Sequence, residues 1–206
     1  PDNPSGVLIS KDILLQSLEL CEKYYARMVV DESFWEFAFD QEAETMLPYI
    51  GQFQSLFLLR SFTKMYGIPG LRLGYGLCSD TDLLERMEEV RQPWGVSIPA
   101  QEAGIAALDE TDWCRQVRSY VTEQRMWLAG ELESMGCKVY PSSANYLLFY
   151  LDQELMESLK RKGILIRDCS NYQGLTKGYY RIAVKTEEEN RQLIDAIRDA
   201  LDKEDL

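Results

Sequence analysis

The chain has 206 residues, 46% of them hydrophobic, and carries 22 Lys plus Arg against 34 Asp plus Glu, for a net charge of −12. That length and apolar content suit a packed core in one large domain or two small ones, while so acidic a balance disfavours nucleic acid and anionic membrane surfaces as partners. Histidine is absent, which excludes Ser-His-Asp and Cys-His catalysis and any His-ligated metal within the chain.

In chain order, the first segment, Pro1-Asp2-Asn3-Pro4-Ser5-Gly6, reads as a turn. A chain that opens inside a turn motif is expected to be a piece of something longer. Ser10 is a plausible N-cap for a helix to about Ala26, with Ile13, Leu14, Leu18, Cys21 and Tyr25 on one face. A short buried strand ending in Asp31 follows, then an irregular aromatic and acidic stretch. Strands are predicted at Ser55–Arg60 and Leu71–Cys78, the latter holding two glycines that suggest close backbone approach. A helix covers Asp80 to Val90, Pro93 and Pro99 bracket a loop, and a short helix runs to about Leu108. Strands alternating with helices predict an α/β layer with a mostly parallel sheet and flanking helices.

From Asp112 the pattern changes. Trp113, Val117, Tyr120, Val121, Trp127, Leu128, Leu132 and Met135 recur at helical spacing, and Gly136 is the expected stop. Strands at 137–141 and 145–151, a helix at about 153–162, and strands at 163–167 and 178–184 come next. The last helix begins at Thr186, with Glu189 completing a capping box and Leu193, Ile194, Ile197 and Leu201 as its buried stripe. The expected division is a domain over 1–111 and a small α+β domain over 112–206. Cys21, Cys78, Cys114, Cys137 and Cys169 lie far apart with no CxxC spacing, which argues for free thiols rather than a metal site, a dithiol centre or a secreted disulfide framework. No apolar stretch approaches the length of a membrane span. A cytoplasmic protein with no metal, no membrane and no nucleic-acid partner is the expectation.

The segment richest in chemistry joins the second and third strands: Arg60-Ser-Phe-Thr-Lys64-Met-Tyr-Gly-Ile-Pro-Gly-Leu-Arg72-Leu-Gly-Tyr75. A lysine at a strand end in an apolar frame can become a nucleophile towards an aldehyde. Ser61, Thr63 and Arg72 are donor types that a phosphate needs. The combination suits an aldehyde cofactor with a phosphate tail.

This segment resembles the Schiff-base signature of the class I/II aminotransferase superfamily, fold-type I enzymes that depend on pyridoxal 5'-phosphate (PLP). Ser61, Lys64 and, eight residues on, Arg72 fill that pattern. The resemblance implies that Lys64 carries the cofactor. Asn3-Pro-Ser-Gly6 resembles the family's Asn-Pro-Thr-Gly turn, whose Asn bonds the cofactor's phenolic oxygen. Val29-Val-Asp31-Glu-Ser-Phe34 resembles the strand-end Asp motif, which implies that a buried Asp31 pairs with the pyridine nitrogen and keeps it protonated. Most aminotransferases of the group have Tyr where Phe34 stands. The L-threonine-O-3-phosphate decarboxylases, which supply aminopropanol phosphate for cobalamin synthesis, often have Phe there, and the histidinol-phosphate aminotransferases usually have Tyr.

The last domain adds Arg167-Asp-Cys-Ser-Asn-Tyr172, where Arg167 ends a predicted strand, and Gly178-Tyr-Tyr-Arg181-Ile-Ala-Val184. Both resemble the family's substrate-anion segments, the first closest to its decarboxylase form, and Asn145 matches a position near the substrate. The implied activity is decarboxylation of threonine phosphate, with amino transfer on histidinol phosphate or a related substrate as the alternative. The resemblance also implies a homodimer. The family's N-terminal part, with its own phosphate-binding turn, has no counterpart here, so residues 1–206 alone are expected to bind PLP poorly and not turn over. Ser61-x-x-Lys64 also fits the acylating serine of penicillin-binding enzymes, but those need Lys-Thr-Gly, and Lys185-Thr186 is followed by Glu187.

Overall fold

The structure, a computed structural model, describes residues 1–38 and 45–202. Contacts divide them into two compact units, one of Ile9–Arg118 and one joining Pro1–Leu8 to Ser119–Leu206. The division falls inside a long helix rather than near residue 111, and the opening turn belongs to the second unit. Part of the irregular acidic stretch, residues 39–44, lies outside the described residues.

In the first unit, helix α1 (Lys11–Lys23) starts at Ser10, whose carbonyl accepts Leu14 N–H at 3.1 Å although its side chain makes no cap bond. The helix stops three residues short of the expected end. Tyr25 adopts φ 54° and is 99% exposed, so it leaves the predicted apolar face. Leu18 is the buried residue of that face, in one cluster with Met46, Leu56 and Leu58. Truncating a fully buried leucine of such a cluster costs about 2–5 kcal/mol.

Strand β1 (Met28–Asp31) pairs in parallel with β2 (Leu56–Ser61), and β2 pairs antiparallel with β3 (Gly74–Cys78). The segment 62–73 that joins β2 to β3 holds one 3-10 turn at Pro69–Leu71 and no α-helix of the kind that usually carries a parallel crossover. The prediction that β1 is buried is corrected. Its residues alternate half-buried and exposed, because among the described residues it has a partner strand on one side only. The glycine reading of β3 holds: a Cβ at Gly74 would lie 2.8 Å from the Arg60 carbonyl oxygen. Helix α2 (Thr81–Val90) is capped by Asp80, which accepts Leu83 N–H at 3.0 Å. Helix α3 (Ile98–Leu108) takes Pro99 into its first turn, where a missing N–H is harmless.

Helix α4 (Thr111–Ser134) runs from the first unit into the second. Gly136 ends it at φ 81° with Cys137 N–H on Leu132 O at 3.1 Å and Gly136 N–H on Glu133 O at 3.0 Å, the paired bonds of a Schellman cap. The second unit's sheet has the order β4-β5-β7-β6, all antiparallel: β4 (Lys138–Val139), β5 (Tyr146–Tyr150), β6 (Arg167–Asp168) and β7 (Tyr179–Ala183). Helix α5 (Met156–Arg161) lies between β5 and β6 in sequence. The strand expected at 163–167 is corrected: Arg167 begins β6 instead of ending a strand. Gly163 at φ 74° and Ile164 are spent capping α5, with Ile164 N–H on Leu159 O at 3.0 Å.

Helix α6 (Glu187–Asp202) opens on the predicted capping box. Thr186 Oγ1 donates to Glu189 Oε2 at 2.7 Å, and Glu189 N–H returns to Thr186 Oγ1 at 3.3 Å. Leu193, Ile194 and Ile197 are buried as expected, and Ala196 and Ala200 join them, whereas Leu201 is only half-buried. No described helix is long and apolar enough to cross a membrane, and the described residues hold no His/Cys/Asp/Glu group able to bind a metal.

Candidate active site

The loop after β2 is anchored by alternate side chains. Phe62 and Met65 are 5% and 2% exposed. Phe62 N–H donates to Leu73 O at 3.2 Å, and Trp113 Nε1 donates to Met65 O at 3.3 Å. Gly104 of α3 leaves room for Leu73, whose Cδ2 lies 2.5 Å from where a Cβ would sit. With those residues turned inward, Ser61 and Thr63 are half-buried and Lys64 is exposed. Ser61 is the last residue of β2, not the start of a helix, which removes the setting an acylating serine needs.

Ser61 Oγ and Thr63 Oγ1 lie 2.8 Å apart, and Thr63 N–H donates to Ser61 Oγ at 3.2 Å. Their mutual bond uses one hydroxyl hydrogen, which leaves the other to donate elsewhere. Arg72 sits at φ 53°, a left-handed conformation that costs a non-glycine residue about 1–2 kcal/mol. One of its N–H groups donates to Pro69 O at 3.0 Å, and the exposed fork retains further donors. Lys64 Nζ lies 5.4 Å from the centre of the Phe34 ring, and no carboxylate pairs with Lys64 among the described residues.

Asp31 lies at the end of β1, opposite Leu59. One oxygen accepts Ser33 N–H at 2.9 Å in a local turn, and the residue is exposed, so the expectation of a buried carboxylate is corrected for the described residues. The cause is the single pairing partner of β1. The donor set nonetheless fits a phosphorylated pyridine aldehyde: a lysine amine beside an aromatic face, hydroxyls and a guanidinium in one loop, and a carboxylate at the neighbouring strand end.

Two groups of polar residues in this unit escaped the sequence reading. Glu32, 5% exposed, accepts Arg60 Nε at 3.0 Å and Arg60 Nη2 at 2.8 Å, along with Thr45 Oγ1 and Met46 N–H. The available signal was a charged Arg60 closing the apolar run Leu56–Leu59, since a charge there requires a partner. The second group is Glu36, Tyr66 and Cys114. Burial pushes the Glu36 carboxyl up to about 7, against the pull of Arg60, a hydrogen bond with Tyr66 and the field of Arg118. Burial likewise raises the Tyr66 phenol and the Cys114 thiol.

The second unit holds the remaining predicted residues. β6 and β7 pair in register so that Arg167 and Arg181 stand directly opposite one another. Like charges opposed across strands are destabilising by themselves, and neither arginine has a carboxylate partner among the described residues. Arg167 Nη2 donates to Asn171 Oδ1 at 3.0 Å, and its guanidinium lies 5.9 Å from the Tyr172 ring centre. Arg181 donates to Asn3 Oδ1 and lies 5.2 Å from the Tyr146 ring centre. The opening turn is thereby fixed to this sheet, and Tyr146 Oη adds a bond to Asp2 O at 2.7 Å. Asn145 has its Oδ1 buried with no hydrogen-bond partner among the described residues. Ten predicted residues thus divide between the units, Asp31, Phe34, Ser61, Thr63, Lys64 and Arg72 in one and Asn3, Asn145, Arg167 and Arg181 in the other, with Lys64 against Phe34, Ser61 against Thr63 and Arg181 against Asn3.

The profile of the family described as aminotransferase class I and II matches residues 1–197, and the chain belongs to that family. Within it, the chain is 38% identical over 201 residues to histidinol-phosphate aminotransferase 2 of Archaeoglobus fulgidus, a match covering 97% of this chain and 56% of the relative. It is 34% identical over 205 residues to the threonine-phosphate decarboxylase of Salmonella typhimurium, covering 98% and 56%. Among solved structures, the histidinol-phosphate aminotransferase from Clostridium acetobutylicum superposes with a TM-score of 0.93 at 29% identity, covering 98% of this chain and 62% of that one. The chain therefore spans little more than half the length of the curated relatives it matches.

Proposed function

We propose that the protein is a PLP-dependent decarboxylase that converts L-threonine O-3-phosphate to aminopropanol phosphate, with Lys64 as the residue that carries the cofactor. The observation that carries the substrate class is the in-register pair Arg167–Arg181, two arginines at opposed strand positions with no carboxylate partner among the described residues. A molecule with both a phosphate and a carboxylate supplies the two anions that such a pair lacks. The Phe34 ring facing Lys64, in place of a tyrosine, favours the decarboxylase over the aminotransferase.

In this reading Ser61, Thr63 and Arg72 would donate to the cofactor phosphate, Asp31 would accept a hydrogen bond from the protonated ring nitrogen, and Asn3 would donate to the phenolic oxygen. The bound cofactor supplies an electron sink for the pair released when a bond at the substrate α-carbon breaks. Arg167 and Arg181 hold the substrate anions and so select which bond is aligned to break. When the carboxylate is aligned it departs as CO2, and Lys64 Nζ returns a proton to the α-carbon. Asn145 lies near the substrate in this reading, as its match to the family position implies. The same reading takes the working protein as a cytoplasmic homodimer in cobalamin synthesis.

A second reading, amino transfer on histidinol phosphate or a related substrate, is favoured by the higher identity to a relative of that name. Incubating the complete protein with PLP and threonine phosphate separates the two. Release of CO2 without need of a keto acid is expected. Keto-acid-dependent amino transfer without CO2 would replace the first reading with the second.

A further inference from the structure

The ends of β1 and β2 are joined by more than their ladder. Glu32 N–H donates to Leu59 O at 2.8 Å, one residue past β1, and there the backbone pairing stops. Beyond it lies the Glu32–Arg60 ion pair, with side chains 5% and 13% exposed. Both oxygens of Glu32 are engaged: Oε2 by Arg60 Nε and Nη2, and Oε1 by Met46 N–H at 2.8 Å, with Thr45 Oγ1 at 3.1 and 3.2 Å from the two. The guanidinium also donates to Thr45 Oγ1 at 3.0 Å and lies 4.2 Å from the centre of the Trp35 ring. Stability alone does not explain such a pair, since burying two charges roughly cancels the gain from bringing them together.

Its position explains it better. Glu32 directly follows Asp31, and Arg60 directly precedes Ser61 in the loop that carries Lys64. The pair therefore closes the gap between two parallel strands at the place where the ring carboxylate and the phosphate hydroxyls leave them. It also offsets the charge of Arg60, four residues before Lys64 in the chain, which the Glu36 carboxyl and the Tyr75 hydroxyl also meet. We infer that Glu32 and Arg60 are positioning residues, a neutral brace that fixes the spacing of Asp31 from the Ser61–Lys64 loop and so sets both PLP affinity and the proton affinity of the bound site. This rests on the cofactor assignment above.

The test is a double-mutant cycle in the complete protein with Glu32→Gln, Arg60→Gln and the pair combined. It is read by PLP dissociation constant, by the pH at which bound PLP changes its visible absorbance, and by Tm. Each folded single variant is expected to bind PLP on the order of tenfold more weakly, and Glu32→Gln, which leaves Arg60 facing only the Glu36 carboxyl and the Tyr75 hydroxyl, to move the absorbance midpoint to lower pH. The double variant keeps the site neutral and remains measurable should a single variant fail to fold. Its affinity is expected to fall at least about threefold, less than the product of the single effects. Folded variants that lower Tm but bind PLP within about threefold of the wild type, with an unmoved midpoint, would overturn the brace and leave the cofactor assignment standing. A wild type that binds no PLP at Lys64 would overturn both.

Discussion

The Lys64 loop and the Arg167–Arg181 pair put polar groups to use in opposite ways. The loop is a contiguous stretch in which buried Phe62 and Met65 turn Lys64 outward, and it includes Arg72 held at φ 53°. Its cost is local backbone strain. The arginine pair is built by strand register on regular β6 and β7, and its cost is electrostatic, two like charges facing each other. A strained loop holds its geometry whether or not a ligand is present. An opposed pair of cations is stabilised by the anion it binds, so occupancy and stability should be linked in the second region more than in the first.

The largest effect that can break this contrast comes from the pair. Arg181→Met or Arg167→Met should weaken binding of a phosphorylated amino acid on the order of 10- to 100-fold, the loss of one charged hydrogen-bonding partner. Without ligand, Arg167→Met should leave Tm unchanged or slightly raised, because repulsion worth about 0.2–1 kcal/mol is relieved, whereas Arg181→Met also loses the bond to Asn3 and should lower it. A clear fall in ligand-free Tm for Arg167→Met would show the pair to be structural. Next, Arg72→Gly separates strain from binding in the loop. Glycine accepts the left-handed conformation freely, so about 1 kcal/mol of strain is relieved, while PLP affinity should fall on the order of tenfold with the loss of the guanidinium. Equal PLP affinity would remove Arg72 from the phosphate site.

A further effect concerns pH. Burial raises the Glu36 carboxyl to about 7, so folding favours its protonated form. Its contribution to stability is fully present below the ordinary carboxylate range and is lost as pH rises through about 7. Glu36→Gln, which stays neutral, should therefore gain Tm relative to the wild type as pH rises from 4.5 to about 7 and keep that gain above it. Parallel Tm curves for the two proteins would mean that Glu36 ionises as freely in the folded state as in the unfolded one.

How much of this was legible depends on how each feature is encoded. The Lys64 segment, the Gly136 stop and the Thr186–Glu189 capping box are local patterns, and local patterns survive translation into structure. The two arginine segments were found one at a time. Their direct opposition was not readable, because register between β6 and β7 is set by tertiary pairing and β6 itself is two residues long. The exposure of Asp31 was misjudged for a related reason: an apolar run such as Met28–Val30 says that a strand forms, not how many neighbours it has. Tyr25 left its predicted helix face because α1 ends two residues earlier in the chain. The Glu32–Arg60 pair joins residues on two strands, and only the apolar setting of Arg60 hinted at it.

The most direct test of the cofactor assignment is borohydride reduction of the complete protein with PLP, followed by peptide mass analysis, with Lys64→Ala as the control. A reduced pyridoxyl adduct on the peptide containing Lys64, and none in the control, is the predicted result. An adduct spread over other lysines, or one that survives Lys64→Ala unchanged, would contradict it.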